Sequence, residues 1–393
     1  LAKKVASSHS IPFWRDIRVL RVIAQVIFLA LIAAGIWWLF NNLQYNLQTS
    51  GLKIGFRFLT NTAGFPISEG LHYSPTDVNG YAFFVGIVNT LKVSVIGIVI
   101  ATILGVIIGI SRLSSNWLVK KIAGFYVEVI RNIPLLVQLF FWYFAVMLTA
   151  LPLVKNSIHL PGAIYLTRRG VYMPWAIPTD SFGTWAWYIL GGLIVGAGVY
   201  MFRRTQLKRA ERPGFPIIWA GTVFLLILAA GWFITPGNPL KLSVPVLNRF
   251  NFTGGLSLST SFTALLLGLS VYTAAFIAEI VRAGIQAISK GQTEAASAVG
   301  LSKVQILRLV ILPQALRVII PPLASQYLNL TKNSSLAILI GYYDLMNVGT
   351  TIFNQTGRAV EMILLIMASY LTMSLLTSLA MNYYNKRMKL VER

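Results

Sequence analysis

The sequence predicts an all-α integral membrane protein of about eight transmembrane helices, and three observations lead there. Of the 393 residues, 56% are hydrophobic and only 11% charged, with a mean hydropathy of +0.70; a globular domain carries about a quarter charged residues. Eight segments reach the roughly 20 mostly apolar residues that a helix needs to cross the hydrocarbon core. The net charge of +22, from 33 Lys+Arg against 11 Asp+Glu, sorts to one side of those segments. A strongly basic soluble protein would suggest nucleic acid, but a duplex-binding surface needs a water-soluble body to display it. The sequence has no cysteine, which excludes disulfides, thiolate metal sites and cysteine nucleophiles. The three histidines, His9, His72 and His159, stand alone.

The segments fall at about 22–40, 84–110, 122–150, 184–202, 216–234, 261–283, 313–332 and 361–382. The first is too long for the apolar region of a cleavable signal, and Ile36-Trp37-Trp38-Leu39-Phe40 offers no small-residue cleavage site. With the N-terminus in the cytoplasm, inside ends hold clusters such as Arg15, Arg18 and Arg21, then Arg112, Lys120 and Lys121, then Arg203, Arg204, Lys208 and Arg209. Twenty-one of the 33 basic residues fall inside and nine outside, so both termini are expected in the cytoplasm. Outside connections at 41–83, 151–182 and 235–260 carry turn formers such as Pro66, Pro161 and Pro236-Gly237. The fourth and fifth spans form a hairpin whose Gly191, Gly192, Gly196 and Gly198 suit close helix packing. Trp37, Trp38, Trp185 and Trp187 are expected as interface-belt residues.

Residues 289–313, on the basic side, carry the densest local signal. Glu294 to Val299 predicts a short helix with an acid early in it, which the helix dipole favours, and Gly300 is its terminator. Ser302-Lys303-Val304-Gln305 reads as a capping box that opens a second helix. That helix sets Val304, Leu307, Val310 and Ile311 on one face, so it would lie on the membrane surface until the chain turns inward at Pro313. Two short helices about a glycine, with small alanines outward, make a rigid knob fit for a groove on another protein.

Glu294-Ala295-Ala296-x-x-x-Gly300 followed by Val310-x-Leu312-Pro313 resembles the EAA loop of ABC importer permeases, with Val310 where that pattern usually has Ile. The resemblance implies that Glu294, Ala295, Ala296, Gly300, Leu301 and Pro313 form a coupling helix docking into a separate ATPase. Asn89-Thr90-Leu91, the stretch from Gly105 to Arg112, Glu128-x-x-Arg131-Asn132-x-Pro134-Leu135-Leu136-x-Gln138, Glu279-x-x-Arg282-x-Gly284-Ile285 and Lys332-Asn333-Ser334-Ser335-Leu336 look like the polar-amino-acid branch of that family, the histidine, glutamate, glutamine and arginine permeases. The added parts resemble the larger subunits of general L-amino-acid permeases. The implied fold is that of a type I ABC importer: a five-span core at 84–150 and 261–393, with the EAA loop at 290–313. To it are added the N-terminal region 1–83, with its extra span, and the inserted outside loops and helical hairpin of 151–260. Implied partners are a second homologous permease subunit, two ATP-binding subunits, an external amino-acid-binding protein, the L-amino-acid substrate and the lipid bilayer. No cofactor is expected in this chain, since it lacks any phosphate loop; ATP and Mg belong to the partner ATPase. No metal site or enzymatic constellation is expected either.

Charge within a span is costly and marks function or a built pair. Glu128 with Arg131, and Glu279 with Arg282, share a three-residue spacing that lets each pair neutralise itself, either to fix helix packing or to form a gate. Gln138, beyond Pro134, would face a pathway or a neighbouring helix. Lys92 and Arg317 are expected to snorkel to the nearest interface. Pro321-Pro322 would mark entry into the membrane, which at ~1.5 Å per residue puts Asn333, Ser334 and Ser335 near the midplane as a polar interruption beside a cavity. The alternative is the outer end of the span with a solvated Lys332. Tyr272 is a further pathway candidate, with packing as its ordinary role. An ion-coupled secondary amino-acid transporter is the competing function; it would need intramembrane carboxylates and internal repeats, and it leaves the EAA loop unexplained.

Overall fold

The computed structural model describes residues 14–49, 55–210, 214–248 and 250–388. His9 and the basic residues Lys3, Lys4, Lys53, Arg212, Arg249, Lys389 and Arg393, used for the orientation or histidine readings, lie outside them. The helices are α1 (Ile17–Thr49), α2 (Asn79–Ser111), α3 (Trp117–Asn132), α4 (Leu135–Ala150), α5 (Phe182–Arg209), α6 (Pro216–Ile234), α7 (Thr260–Gln286), α8 (Lys290–Ala298), α9 (Lys303–Ile340), α10 (Leu345–Thr356) and α11 (Ala359–Met388). Among the described residues seven helices are long and apolar enough to span a membrane, or eight if the bent pair α3–α4 is one span.

The core forms where glycine and alanine recur every fourth residue. Gly97, Ala101, Gly105 and Gly109 run down one face of α2, and this stripe lets α7 approach closely, the two chains running parallel. A Cβ on Gly105 would lie 2.6 Å from Ile277, and one on Gly109 2.7 Å from the carbonyl oxygen of Ala278. α9 runs the other way, with Leu330 against Gly97 and Ile319 against Gly284. Leu139, Phe262, Leu265, Leu269, Ile277 and Leu330 fill this core. A second cluster joins Phe58, Phe65 and Phe83 to Leu345, Ile352 and Met362, so residues 55–78 fold back onto α2, α10 and α11. α1 lies exposed along almost its whole length.

Four expectations need correction. The third span is not continuous: α3 and α4 meet at 105° across Ile133-Pro134, because proline lacks a donor and disfavours helix in the residue before it. Neither Pro313 nor Pro321-Pro322 turns the chain. α9 runs unbroken from Lys303 to Ile340, and a π-wound stretch at Ile306–Ile311 widens the helix immediately before Pro313, where the Leu312 amide reaches back five residues to Leu307. The Asn333–Ser335 region is not an unwound break either; the helix tightens to a 3₁₀ winding from Ser334 to Ile340 and ends at Gly341 in the left-handed region. The connections at 151–182 and 235–260, expected as outside loops, contain short strands.

β1 (Ile158–Leu160), β2 (Ile164–Thr167), β3 (Gly170–Met173) and β8 (Leu256–Ser259) form a four-stranded antiparallel sheet in that order. β4 (Trp175–Pro178) pairs with β5 (Leu240–Ser243), and β6 (Val246–Leu247) with β7 (Phe252–Thr253). At Gly170 the carbonyl of Leu258 sits where a Cβ would be, so β3–β8 pairing depends on glycine there. In the α5–α6 hairpin only Gly192 and Gly196 of the four predicted glycines face the partner helix; Gly191 and Gly198 face open space, while Gly231 on α6 receives Tyr188. Trp185 is buried, its indole N–H donating to Leu228 O, and is no belt residue; Trp37, Trp38 and Trp187 are exposed.

Candidate functional site

The knob at 289–305 is built as its residue types dictate. Gly300 takes φ +81° with open space where a Cβ would stand. The Gly300 amide donates to Ser297 O and the Leu301 amide to Ala296 O, closing α8 with a Schellman pattern. Ser302 and Gln305 exchange hydrogen bonds with each other's backbone N–H, completing the capping box. Ala296 is buried beneath the turn, while Glu294, Ala295, Ala298 and Gly300 are exposed and Leu301 is half-buried. The apolar face beyond it differs from the expected one: Ile306 is buried, Val310 and Ile311 are half-buried, and Val304 and Leu307 are exposed. Pro313, half-buried, lies within the α9 helix.

Directly before the knob, the end of α7 carries an ionic hub. Glu279 pairs with Arg282 as the spacing predicts, and also with Arg112 from the end of α2. Arg131 lies 3.9 Å from the same carboxylate and stacks over Phe276. The predicted Glu128–Arg131 pair does not form; Glu128 is exposed and makes no ion pair among the described residues, and Arg131 turns to Glu279 instead. Arg112 was legible as an orientation charge and as the end of the Gly105–Arg112 stretch, but not as a partner of Glu279, 167 positions away.

Of the two orientations expected for Gln138, it takes the one toward a neighbouring helix. It is 5% exposed, and its amide N–H groups donate to Ile130 O at 2.8 Å and Ile133 O at 2.9 Å, carbonyls left free where α3 stops. Gln138→Leu is expected to leave them unsatisfied and to lower stability by roughly 1–3 kcal/mol. Chemical denaturation in detergent would measure it, and a change within about 0.5 kcal/mol would refute the bracing role.

Two motifs far apart in sequence meet around residues 341–345. Asn89 donates to Tyr343 O at 2.9 Å, Thr90 Oγ1 accepts from the Leu345 amide at 2.9 Å, and Tyr342 donates to Asn89 O at 3.2 Å. Tyr370 reaches Asp344 Oδ2 at 3.3 Å and the side chains of Ser334 and Thr90. Ser334 is fully buried and donates to Thr331 O; Ser335 donates to Lys332 O; Asn333 is half-buried and Lys332 exposed. Leu330 packs on Gly97, near the middle of α2, so this polar segment sits well inside the molecule rather than at a helix tip. The Tyr272 ring lies 4.9 Å from that of Phe276, tilted by 51°, and borders the core. Lys92 is held over the Phe262 ring at 4.8 Å, and Arg317 Nε is buried without a hydrogen-bond partner.

Sequence reasoning missed a half-buried acid, Glu69, and a fully buried one, Asp344. Glu69 accepts from Ser259; burial pushes its carboxyl up, against the pull of Ser259 and Lys92. Asp344, fully buried, caps α10 by accepting from the Asn347 amide at 2.9 Å, and burial raises it to about 6, partly offset by the Asn347 and Met346 amides and the Tyr370 hydroxyl. An acid raised in the folded state holds a proton that the unfolded chain has lost. The contribution of Asp344 to stability is therefore fullest below about pH 4 and falls as pH rises toward 6. Asp344→Asn, which keeps the cap, is expected to flatten that slope in thermal unfolding between about pH 4 and 7. An unchanged slope would remove Asp344 as its source.

The described residues thus make a multi-pass helical membrane protein with an exposed two-helix knob at the end of a core helix. Residues 214–390 match the family described as binding-protein-dependent transport system inner membrane component. The chain is 46% identical over 373 residues to the general L-amino acid transport system permease protein AapQ of Rhizobium johnstonii, covering 94% of this chain and 92% of that one. It is 42% identical over 409 residues to the glutamate/glutamine/aspartate/asparagine transport system permease protein BztB of Rhodobacter capsulatus, covering 96% of each. A crystal structure of an amino acid ABC transporter with histidines aligns with 78% of this chain and 94% of that one, at 23% identity and a TM-score of 0.48. The chain belongs to the binding-protein-dependent transport family and is a permease subunit of an ABC transporter, a multi-pass inner-membrane protein. It is not itself the enzyme; ATP hydrolysis resides in a separate subunit. Membership implies work with an ATPase and a substrate-binding protein.

Proposed function

We propose that this chain forms, with a second homologous permease subunit, the membrane pathway of an ATP-driven importer of polar or broad-range L-amino acids. Near full-length similarity to a general L-amino acid permease carries this reading. An external binding protein delivers the substrate, and two ATPase subunits, which carry ATP and Mg, drive alternating access. In this reading both termini are cytoplasmic, and the exposed knob of Glu294, Ala295, Ala298 and Gly300 seats in the ATPase. Asn333 to Ser335 contribute to the pathway; the exposed Lys332 and half-buried Asn333, level with the middle of α2, support that assignment.

Purification of the chain from its native membrane tests the assembly. Recovery of an ATPase and a second permease, with amino-acid uptake that requires ATP and the binding protein, is the expected result. Recovery without an ATPase, together with uptake driven by a proton or sodium gradient, would overturn it. For the pathway, Asn333→Ala should change affinity or preference among amino acids; unaltered uptake kinetics would remove that residue from the pathway.

A further inference from the structure

We infer that the cleft between the α2–α3 turn and the end of α7 binds the headgroup of an anionic phospholipid. The cleft measures about 730 Å³ and is lined by Arg112, Lys120, Lys121 and Arg282, with Glu128 as its one acidic residue. Arg112 and Arg282 are engaged by Glu279, whereas Lys120 and Lys121 form no ion pair among the described residues. Both lysines sit near the N-terminal end of α3, whose first turn carries no acid. A helix N-terminus already bears partial positive charge, and the two lysines add to it. The charge arrangement is thus complementary to a phosphate.

The surroundings favour a lipid as its source. The turn from α2 to α3 falls at the end of a candidate span, where headgroups lie. Trp117, 69% exposed, and Phe125, 70% exposed, border the cleft at that level, as interface anchors do. Leu118 and Ile122, exposed on the adjoining face of α3, continue as an apolar surface along which acyl chains can lie. Basic pockets between membrane helices have the chemistry to hold acidic headgroups, and the volume exceeds that of a single phosphate. This site is independent of which substrate is carried.

The test is native mass spectrometry of the full transporter complex with phosphatidylglycerol, phosphatidylcholine or inorganic phosphate as probes. About tenfold or greater preferential retention of phosphatidylglycerol over phosphatidylcholine is expected, the scale set by two basic residues facing an anionic headgroup. It should be lost in Lys120→Gln/Lys121→Gln and kept in Lys120→Arg/Lys121→Arg. Should the glutamine variant fail to fold, retention by the wild type should still weaken as salt rises from about 0.05 to 0.5 M. Equal retention of the two lipids, salt-independent retention, or retention unchanged in a folded glutamine variant would each overturn the site. So would displacement of the lipid by millimolar phosphate, which would mark a small-anion site. Preferential retention by the isolated chain that vanishes in the complex would assign the cleft to the ATPase interface instead.

Discussion

Gly300→Pro and Glu294→Arg are each expected to cut amino-acid uptake at least about tenfold while the chain still inserts and the complex hydrolyses ATP. The two act by different physics. Gly300 holds φ +81°, whereas proline is confined near −65°, and its missing N–H deletes the bond to Ser297 O. The variant therefore loses the Schellman closure that fixes α8 against the capping box of the next helix. Open space around Gly300 means that the damage stays in the knob and does not spread into the core. Glu294 is exposed, so arginine there costs the isolated chain little; it reverses the charge presented to the docking groove. Mismatched charge at an interface costs several kcal/mol, well beyond the ~1.4 kcal/mol that makes a factor of ten. Transport and ATPase rates measured together in proteoliposomes are the check. Wild-type transport by either variant would mean that the knob is not the coupling element.

Glu279→Gln should destabilise the protein far more than Glu128→Gln. Glu279 meets arginines from three helix ends, so its neutralisation leaves Arg112, Arg282 and Arg131 facing one another without a counter-charge. Breaking a fully buried pair costs about 3–5 kcal/mol. The Glu279 side chain is 26% exposed and Arg131 40%, so solvent screening reduces this to roughly 1–3 kcal/mol. Glu128 has no ion pair to lose, and its replacement should stay within about 0.5 kcal/mol. Detergent-solubilised unfolding of both variants measures the contrast. Equal effects would return the Glu128–Arg131 pairing that the spacing suggested. Because the hub lies at the end of α7, from which the chain passes directly into the knob, Glu279→Gln is also expected to weaken coupling in the same assays.

What the sequence disclosed follows the range of the forces involved. The knob was legible down to single residues, because a capping box, a left-handed glycine and a Schellman closure are settled within a dozen positions. The spans were legible as apolar length, and the Glu279–Arg282 pair as one turn of helix. The contacts that required tertiary knowledge were not. Arg112 and Glu279 meet only because the glycine stripe of α2 brings it against α7. The same three-residue spacing at Glu128 and Arg131 produced no pair, and Arg131 turns to Glu279 instead. Gln138 shows the same limit: a polar residue in an apolar run suggested a pathway or a neighbouring helix, but the nearest unsatisfied groups were the carbonyls that Pro134 had freed. Prolines misled in the other direction: a π-wound stretch precedes Pro313, and the α-helix runs on through Pro321-Pro322 without a break.

The ladder between β3 and β8 has a consequence for how such a chain is assembled. Met173 and Leu256 are register partners, so the 82 residues between them leave and rejoin the fold at a single rung. The α5–α6 hairpin is thus hung from the rest of the fold by a zip rather than threaded through it. A strand-to-strand turn at that rung would close the chain with α7 still capped by Ser259. An appendage with coincident ends can be gained, exchanged or shed by recombination without shifting one helix of the translocating core.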